Sequence, residues 1–90
     1  MKYSIRKQPS TILEEIAEKH KNLRKNHHLT QLELANRSGV SLGSLKRFET
    51  TGHINFESLL KLAHFFNRLN DFDLVFQEDY YKEIEKLFSK

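Results

Sequence analysis

Hydrophobic residues recur along this chain at spacings of three and four, which is the period of an amphipathic helix. Six stretches show this period, and they predict an all-α fold of five helices with an additional C-terminal helix. The predicted helices cover about residues 11–26, 31–37, 42–49, 56–66, 71–77 and 80–88. The fourth carries an apolar stripe of Phe56, Leu59, Leu60, Ala63 and Phe66 with Leu62 beside it, and the fifth turns Phe72, Val75 and Phe76 inward.

Capping residues mark where several of these helices begin. Thr11 and Thr30 are each followed three residues later by a glutamate, so each predicts a capping box. Asn55 predicts the N-cap of the fourth helix, after a loop over residues 50–53. Ser41 predicts the N-cap of the third helix, so the sequence alone predicts where each of the first four helices begins.

Residues 29–48 predict two short helices joined by a tight turn. Gly39 supplies the left-handed backbone that ends the first helix, and Ser41 caps the second. Ala35 is small and lies ten residues before Leu45, so the two helices can cross closely there. The apolar positions of the unit are Leu32, Leu34, Ala35, Val40, Leu45 and Phe48. This is a helix-turn-helix pattern, whose second helix is suited to the major groove of DNA.

Charge is distributed unevenly between the two parts of the chain. Residues 1–50 carry ten Lys and Arg against five Asp and Glu, whereas residues 51–90 carry five against seven. A basic part beside an acidic part fits DNA contact at one end and protein contact at the other, although ordinary solvated charge is the alternative reading. The absence of cysteine and of any apolar run of about 20 residues favours a cytoplasmic protein with no membrane span.

Metal chemistry and catalysis find little support in the residues. His27 and His28 are adjacent on a turn and point apart, and no third ligand has a suitable spacing. His20 lies on the apolar stripe of the first helix and is interpreted as a packed or boundary histidine. No serine or lysine stands in a nucleophile or phosphate-loop motif. We therefore expect no metal, no cofactor and no enzymatic activity.

The stretch LRKNHHLTQLELANRSGVSLGSLKRFE resembles the Cro/C1-type (Xre) helix-turn-helix family of regulators, and the similarity extends over about residues 13–74. The resemblance implies a lambda-repressor-like domain over residues 11–77, between a basic arm (1–10) and a C-terminal helix (78–90). It also implies a structural ion pair between Arg24 and Glu49.

The same resemblance implies where DNA contacts lie. Gln31 would meet a phosphate at the start of the second helix, Lys46 another phosphate, and Arg47 a guanine or a phosphate. Leu42 and Gly43 replace polar residues that many family members have, so few side chains can contact bases directly. Recognition of operator shape then becomes more important. The full set of implied contacts is Gln31, Ser41, Leu42, Gly43, Ser44, Lys46 and Arg47.

The C-terminal part predicts a protein contact. Phe72, Phe76, Tyr81, Ile84 and Phe88 are the candidates for a homodimer or partner interface. The segment NDFDLVF more weakly resembles HipB-like antitoxins, which neutralise a kinase toxin and repress their own operon. The expected function is a repressor that binds an inverted-repeat operator as a dimer, with such an antitoxin as the alternative.

Overall fold

A computed structural model describes residues 7–78 and 85–88 of the chain. Within residues 7–78, four α-helices follow one another: α1 (Pro9–Asn26), α2 (Gln31–Ser38), α3 (Leu42–Thr51) and α4 (Phe56–Phe65). A single 3-10 turn, Leu69–Phe72, comes after α4. The described residues contain no strand, and the predicted all-α fold is confirmed.

The starts of α2, α3 and α4 are the predicted ones. The side-chain oxygens of Thr30, Ser41 and Asn55 each accept a hydrogen bond from the backbone amide three residues on, at 3.0, 3.1 and 2.7 Å. Glu33 completes the capping box of α2, because its carboxylate accepts from the Thr30 amide at 2.8 Å. Each cap satisfies amides that the first helical turn leaves without partners.

The predicted start of α1 is wrong. The helix begins at Pro9, two residues before Thr11, and its N-cap Gln8 makes no side-chain hydrogen bond. A proline in the first turn lacks an amide hydrogen that would be unpaired there anyway, and its φ angle is already helical. Thr11 therefore lies inside the helix rather than at a capping box.

Two glycines end α2 and α3 in the left-handed conformation, Gly39 with φ 82° and Gly52 with φ 85°. The predicted loop over residues 50–53 is too long, because α3 continues to Thr51. A Cβ atom on Gly52 would lie 2.8 Å from both Cβ and the backbone oxygen of Leu13. The end of α3 thus packs directly on the backbone of α1.

The core lies where α1 and α2 pack on α3 and α4 packs on α2. Its buried apolar residues are Ala17, Leu34, Ala35, Val40, Leu45, Phe48 and Leu62. Leu62 is fully buried although the pattern placed it beside the stripe of α4, and Phe56, predicted within that stripe, is 59% exposed. Leu32 also faces solvent, since α2 buries only Leu34 and Ala35.

The fifth helix is present as the 3-10 helix Leu69–Phe72, and its predicted bounds of 71–77 are wrong. The chain forms the 3-10 turn and then further turns through residue 76. Phe72 is half-buried with its ring 5.8 Å from that of Phe56, but Val75 is 53% exposed and Phe76 is fully exposed. A short helix depends on packing of its apolar face, and Val75 and Phe76 are not buried against the described residues.

The predicted C-terminal helix is described only in part. Residues 85–88 are helical and exposed, and they include Phe88. The other predicted contacts there, Tyr81 and Ile84, and most of the basic arm lie outside the described residues.

Candidate nucleic-acid interface

The first turns of α3 present a continuous exposed surface. Gly43, Ser44, Lys46 and Arg47 are all exposed on it. Spacings of three and four place Gly43 with Arg47, and Ser44 with Arg47, on one side of the helix. This surface can offer a hydroxyl, an ammonium and a guanidinium group to a polyanion.

Ser41 and Leu42 make contacts within the protein that leave less of each side chain free for a ligand. The Ser41 hydroxyl accepts from the Ser44 amide at 3.1 Å and donates to the Ser44 hydroxyl oxygen at 2.9 Å. The Ser44 hydroxyl therefore keeps its own hydrogen for an outside acceptor. Leu42 is half-buried and packs against the core, so only part of its side chain faces outward.

A buried cluster of charged and polar side chains stands behind this surface. The Glu49 side chain is 2% exposed and that of Arg24 is 9% exposed. Arg24 Nη2 lies 2.9 Å from Glu49 Oε1, and Arg24 Nε lies 3.0 Å from Oε2, so the pair is bidentate. The ion pair that the family resemblance implied is thus present. Arg24 Nη1 also donates to the Leu29 carbonyl at 2.8 Å, which ties the turn before α2 to α1.

Gln31 belongs to the same cluster. Its side-chain nitrogen donates to Glu49 Oε1 at 3.0 Å. The start of α2 is therefore tied to the second half of α3 by a hydrogen bond, in addition to their apolar packing. The side-chain oxygen of Gln31 and its second amide hydrogen take no part in this bond, so they remain for other partners.

His20 completes the cluster from the preceding turn of α1. Its Nδ1 lies 3.0 Å from Glu49 Oε2 and donates to it, because an ionised carboxylate only accepts hydrogen bonds. The ring of His20 packs at 5.1 Å from that of Phe48. The interpretation of His20 as a packed histidine is confirmed, but its contact with Glu49 was not predicted. The signal was present in the spacing, because His20 and Arg24 are four residues apart and lie on one helical face.

The protonation states in the cluster follow from its surroundings. Burial raises the pKa of the Glu49 carboxyl, but the hydrogen bonds from Arg24 and Gln31 and the nearby positive charge outweigh burial and hold it below its ordinary value. Burial lowers the pKa of His20 more than the neighbouring Glu49 raises it. The cluster therefore contains an ionised glutamate, an arginine and a neutral histidine.

Sequence reasoning also missed a polar recess beside α3. Its volume is about 320 Å³, and Ser44, Arg47, His53, Ile54 and Asn55 line it. The recess joins the exposed face of α3 to the loop before α4. His53 and Asn55 are consequently placed next to Arg47, which loop composition alone did not indicate.

The described residues contain no group of three or more His, Cys, Asp or Glu side chains that could hold a metal ion. Within the same ranges, no helix has both the length and the apolar character needed to cross a membrane.

Two short helices joined at Gly39, with the second exposing a polar and basic face, have the geometry of a helix-turn-helix unit. A family model described as Helix-turn-helix matches residues 21–70, which is more than half of the chain. The chain belongs to the Cro/C1-type (Xre) helix-turn-helix family of DNA-binding transcriptional regulators. Searches of curated proteins and of solved structures found no match to it.

Proposed function

We propose that this protein is a sequence-specific repressor that binds an inverted-repeat operator as a homodimer. The observation that carries the proposal is the exposed face of α3, with Gly43, Ser44, Lys46 and Arg47 outward. The buried contacts of Glu49 hold that helix against α1 and α2. A rigid support of this kind keeps the side chains in one geometry as they enter the major groove.

The residues of this face have different roles in the proposal. Arg47 reads a guanine through its two parallel donors, and the Ser44 hydroxyl donates to a neighbouring base or phosphate. Lys46 and the start of α2 at Gln31 bind phosphates, which fixes the position of the unit on the duplex. Ser41 acts through the cap of α3, and Leu42 contributes the exposed part of its side chain to a thymine methyl.

Dimerisation follows from the small size of the reading surface. One α3 helix contacts few base pairs, and a twofold axis doubles the contacts. Leu74, Val75 and Phe76 form an exposed apolar segment after the 3-10 turn, and Phe88 is exposed further on. Contiguous exposed apolar side chains are typical of protein contact sites. A dimer bound over a promoter represses by excluding polymerase.

The same apolar segment supports the alternative function, an antitoxin that captures a kinase-type toxin and represses its own operon. The two functions share the DNA surface and differ in what covers residues 74–76. A purified protein that is monomeric alone, and that forms a stable complex with the product of a neighbouring kinase-like gene, would favour the alternative.

Selection of bound sequences from random DNA tests the proposed function, followed by affinity measurements on the selected site and on an unrelated duplex. Arg47→Ala should weaken binding to the selected site by about 1–3 kcal/mol more than binding to the unrelated duplex. Arg68→Ala is the matched control, because it removes the same charge from an exposed side chain that pairs with Asp71. If no sequence is enriched, sequence-specific recognition is refuted. Equal losses on the two duplexes would assign Arg47 to a phosphate.

A further inference from the structure

An apolar groove lies between α1, α4 and the 3-10 turn, on residues that the proposed DNA surface does not use. Its volume is about 330 Å³. The apolar part of the lining comes chiefly from Leu23, Leu59, Leu62, Ala63, Phe66 and Phe72. A groove with such a lining suits the apolar face of an amphipathic helix.

The groove also carries a basic charge, which α1 contributes. Lys19 belongs to the lining, is exposed, and pairs with no acidic side chain among residues 7–78 and 85–88. Arg68, also in the lining, is already paired with Asp71 at 3.1 Å. An occupant that complements this groove therefore has an apolar face with an acidic residue beside it.

The C-terminal segment (residues 78–90) has such an apolar face. Residues 85–88 are helical, and Leu87 and Phe88 are 75% and 81% exposed, so neither is packed on the core. Ile84 comes three residues before Leu87 and four before Phe88 in the sequence. These are the spacings of the side chains that anchor a helix in a groove.

The same segment supplies the acidic complement. Residues 78–85 carry four acidic residues and one lysine. Glu85 comes three residues before Phe88, so the two side chains lie on one side of a helix. When Phe88 enters the groove, Glu85 can therefore reach its edge and pair with Lys19.

We propose that the groove of each copy binds the C-terminal segment of the other copy in a homodimer, with Leu87 and Phe88 inserted and Glu85 beside Lys19. In the structure of the single chain both apolar side chains remain exposed rather than filling the groove. A mutual exchange gives two equivalent contacts about a twofold axis. The inference rests on the dimer of the proposed function and deepens it by naming the two surfaces that meet.

Disulfide trapping between two different chains tests the exchange. The protein has no cysteine, so Lys19→Cys and Glu85→Cys each introduce a single thiol, at an exposed position. One full-length chain is labelled with ¹⁵N, the two are mixed in a glutathione redox buffer, and mass spectrometry identifies which chains are joined. The mixed 19–85 disulfide should predominate, because a disulfide needs Cβ atoms about 3.5–4.5 Å apart. Lys61→Cys, at an exposed position of α4 outside the groove, is the matched control and should give little mixed disulfide with Glu85→Cys.

Two outcomes of the trapping experiment would overturn the proposal. A mixed disulfide that is as abundant with Lys61→Cys as with Lys19→Cys would show that the segment does not occupy the groove. A 19–85 disulfide that forms within a chain carrying both cysteines, but not between chains, would show that each chain fills its own groove.

A pair of matched variants tests how much the docking stabilises the dimer. Leu87→Ser removes an anchor and should raise the dimer Kd at least about tenfold in analytical ultracentrifugation without DNA. Leu32→Ser makes the same change at a 55% exposed position of α2 outside the groove and should leave the Kd within about twofold of the original. A monomeric full chain, or equal effects of the two variants, would refute the docking. Because no DNA is present, such a result leaves sequence selection intact, whereas failure to enrich any DNA sequence would refute the repressor alone.

Discussion

At the scale of single residues, one carboxylate organises the link between three helices. Glu49 on α3 accepts hydrogen bonds from His20 and Arg24 on α1 and from Gln31 on α2. Burying a charge is costly unless it is paired and hydrogen-bonded. These donors offset that cost only in one arrangement of the helices, so the cluster contributes to the uniqueness of the fold as well as to its stability.

The neutral state of His20 leads to a prediction about pH. The pKa of the folded protein's His20 is below its ordinary value of 6.5. As pH falls from about 7.5 to about 5.5 the unfolded chain takes up this proton before the folded one, so the free energy of unfolding should decrease. His20→Gln keeps an amide donor for Glu49 but does not titrate, and its stability should decrease less over this range. Denaturant unfolding of the two proteins at the two pH values measures the difference.

The contribution of Glu49 to that comparison is small, because its pKa is held below its ordinary value of 4.5. Its stabilising effect is present above about pH 4.5 and is lost only at more acidic pH. Identical pH dependence in wild type and His20→Gln would show that His20 is not buried in its neutral form.

The two helix-ending glycines should differ in how they tolerate alanine. A Cβ atom at position 39 would meet no atom within 4 Å, so Gly39→Ala should lower the free energy of unfolding only through its positive φ, by about 1 kcal/mol. Gly52→Ala has the same conformational cost and also drives a Cβ to 2.8 Å from the backbone of Leu13, which adds about 1–3 kcal/mol. Urea unfolding should therefore rank Gly52→Ala as clearly the more destabilised. Equal losses would mean that α3 does not approach α1 this closely.

At the scale of elements, the helix starts that the sequence predicts are those that depend on local hydrogen bonds. The caps at Thr30, Ser41 and Asn55 involve residues three apart, so they are readable in the sequence and are confirmed. The start of α1 was missed because Pro9 and the capping-box pattern at Thr11 lie within three residues of each other. The helix begins at the proline. The fifth helix is shorter than predicted for a different reason, since Phe72 packs against Phe56 but Val75 and Phe76 remain exposed among the described residues.

Helix α3 carries a residue that links stability to recognition. Gly43 lies in its first turns, and a Cβ there meets no atom within 4 Å. Gly43→Ala should raise the free energy of unfolding by about 0.5–1 kcal/mol, because glycine loses more backbone entropy in a helix. If α3 enters the major groove of DNA as proposed, the added methyl should at the same time reduce affinity for the selected operator. Measuring unfolding and DNA binding on one preparation separates the two effects, and unchanged DNA affinity would place Gly43 away from the duplex.

At the scale of the whole molecule, the sequence predicted the family fold and the Arg24–Glu49 pair, since residues 21–70 carry the family pattern. It did not predict the recess beside Arg47 or an apolar groove of about 330 Å³ that residues of α1, α4 and the 3-10 turn line. These cavities depend on how α4 and the 3-10 turn settle against α1 and α3, which involves contacts between residues far apart in sequence. Local patterns contain no direct signal for such contacts.

The last prediction concerns assembly. Residues 71–90 carry six acidic residues and three lysines, so DNA phosphates would repel this part of the chain. Its exposed apolar residues Val75, Phe76 and Phe88 fit a protein contact. We therefore expect a dimer that protects two half-sites about one helical turn, roughly 34 Å, apart. Footprinting and light scattering measure these two properties.

Deleting residues 78–90 should weaken the dimer and leave the helix-turn-helix unit folded, because the buried core of the described residues extends only from Ala17 to Leu62. Affinity for the full operator should then fall, since each half-site is bound separately, while affinity for an isolated half-site hardly changes. The double substitution Val75→Ser and Phe76→Ser, at exposed positions outside the deleted segment, should weaken the dimer without shortening the chain. A truncated protein that remains dimeric and loses half-site affinity would instead place the C-terminal residues on the DNA surface. A truncated protein that remains dimeric with unchanged half-site affinity would show that residues 78–90 have no part in the interface.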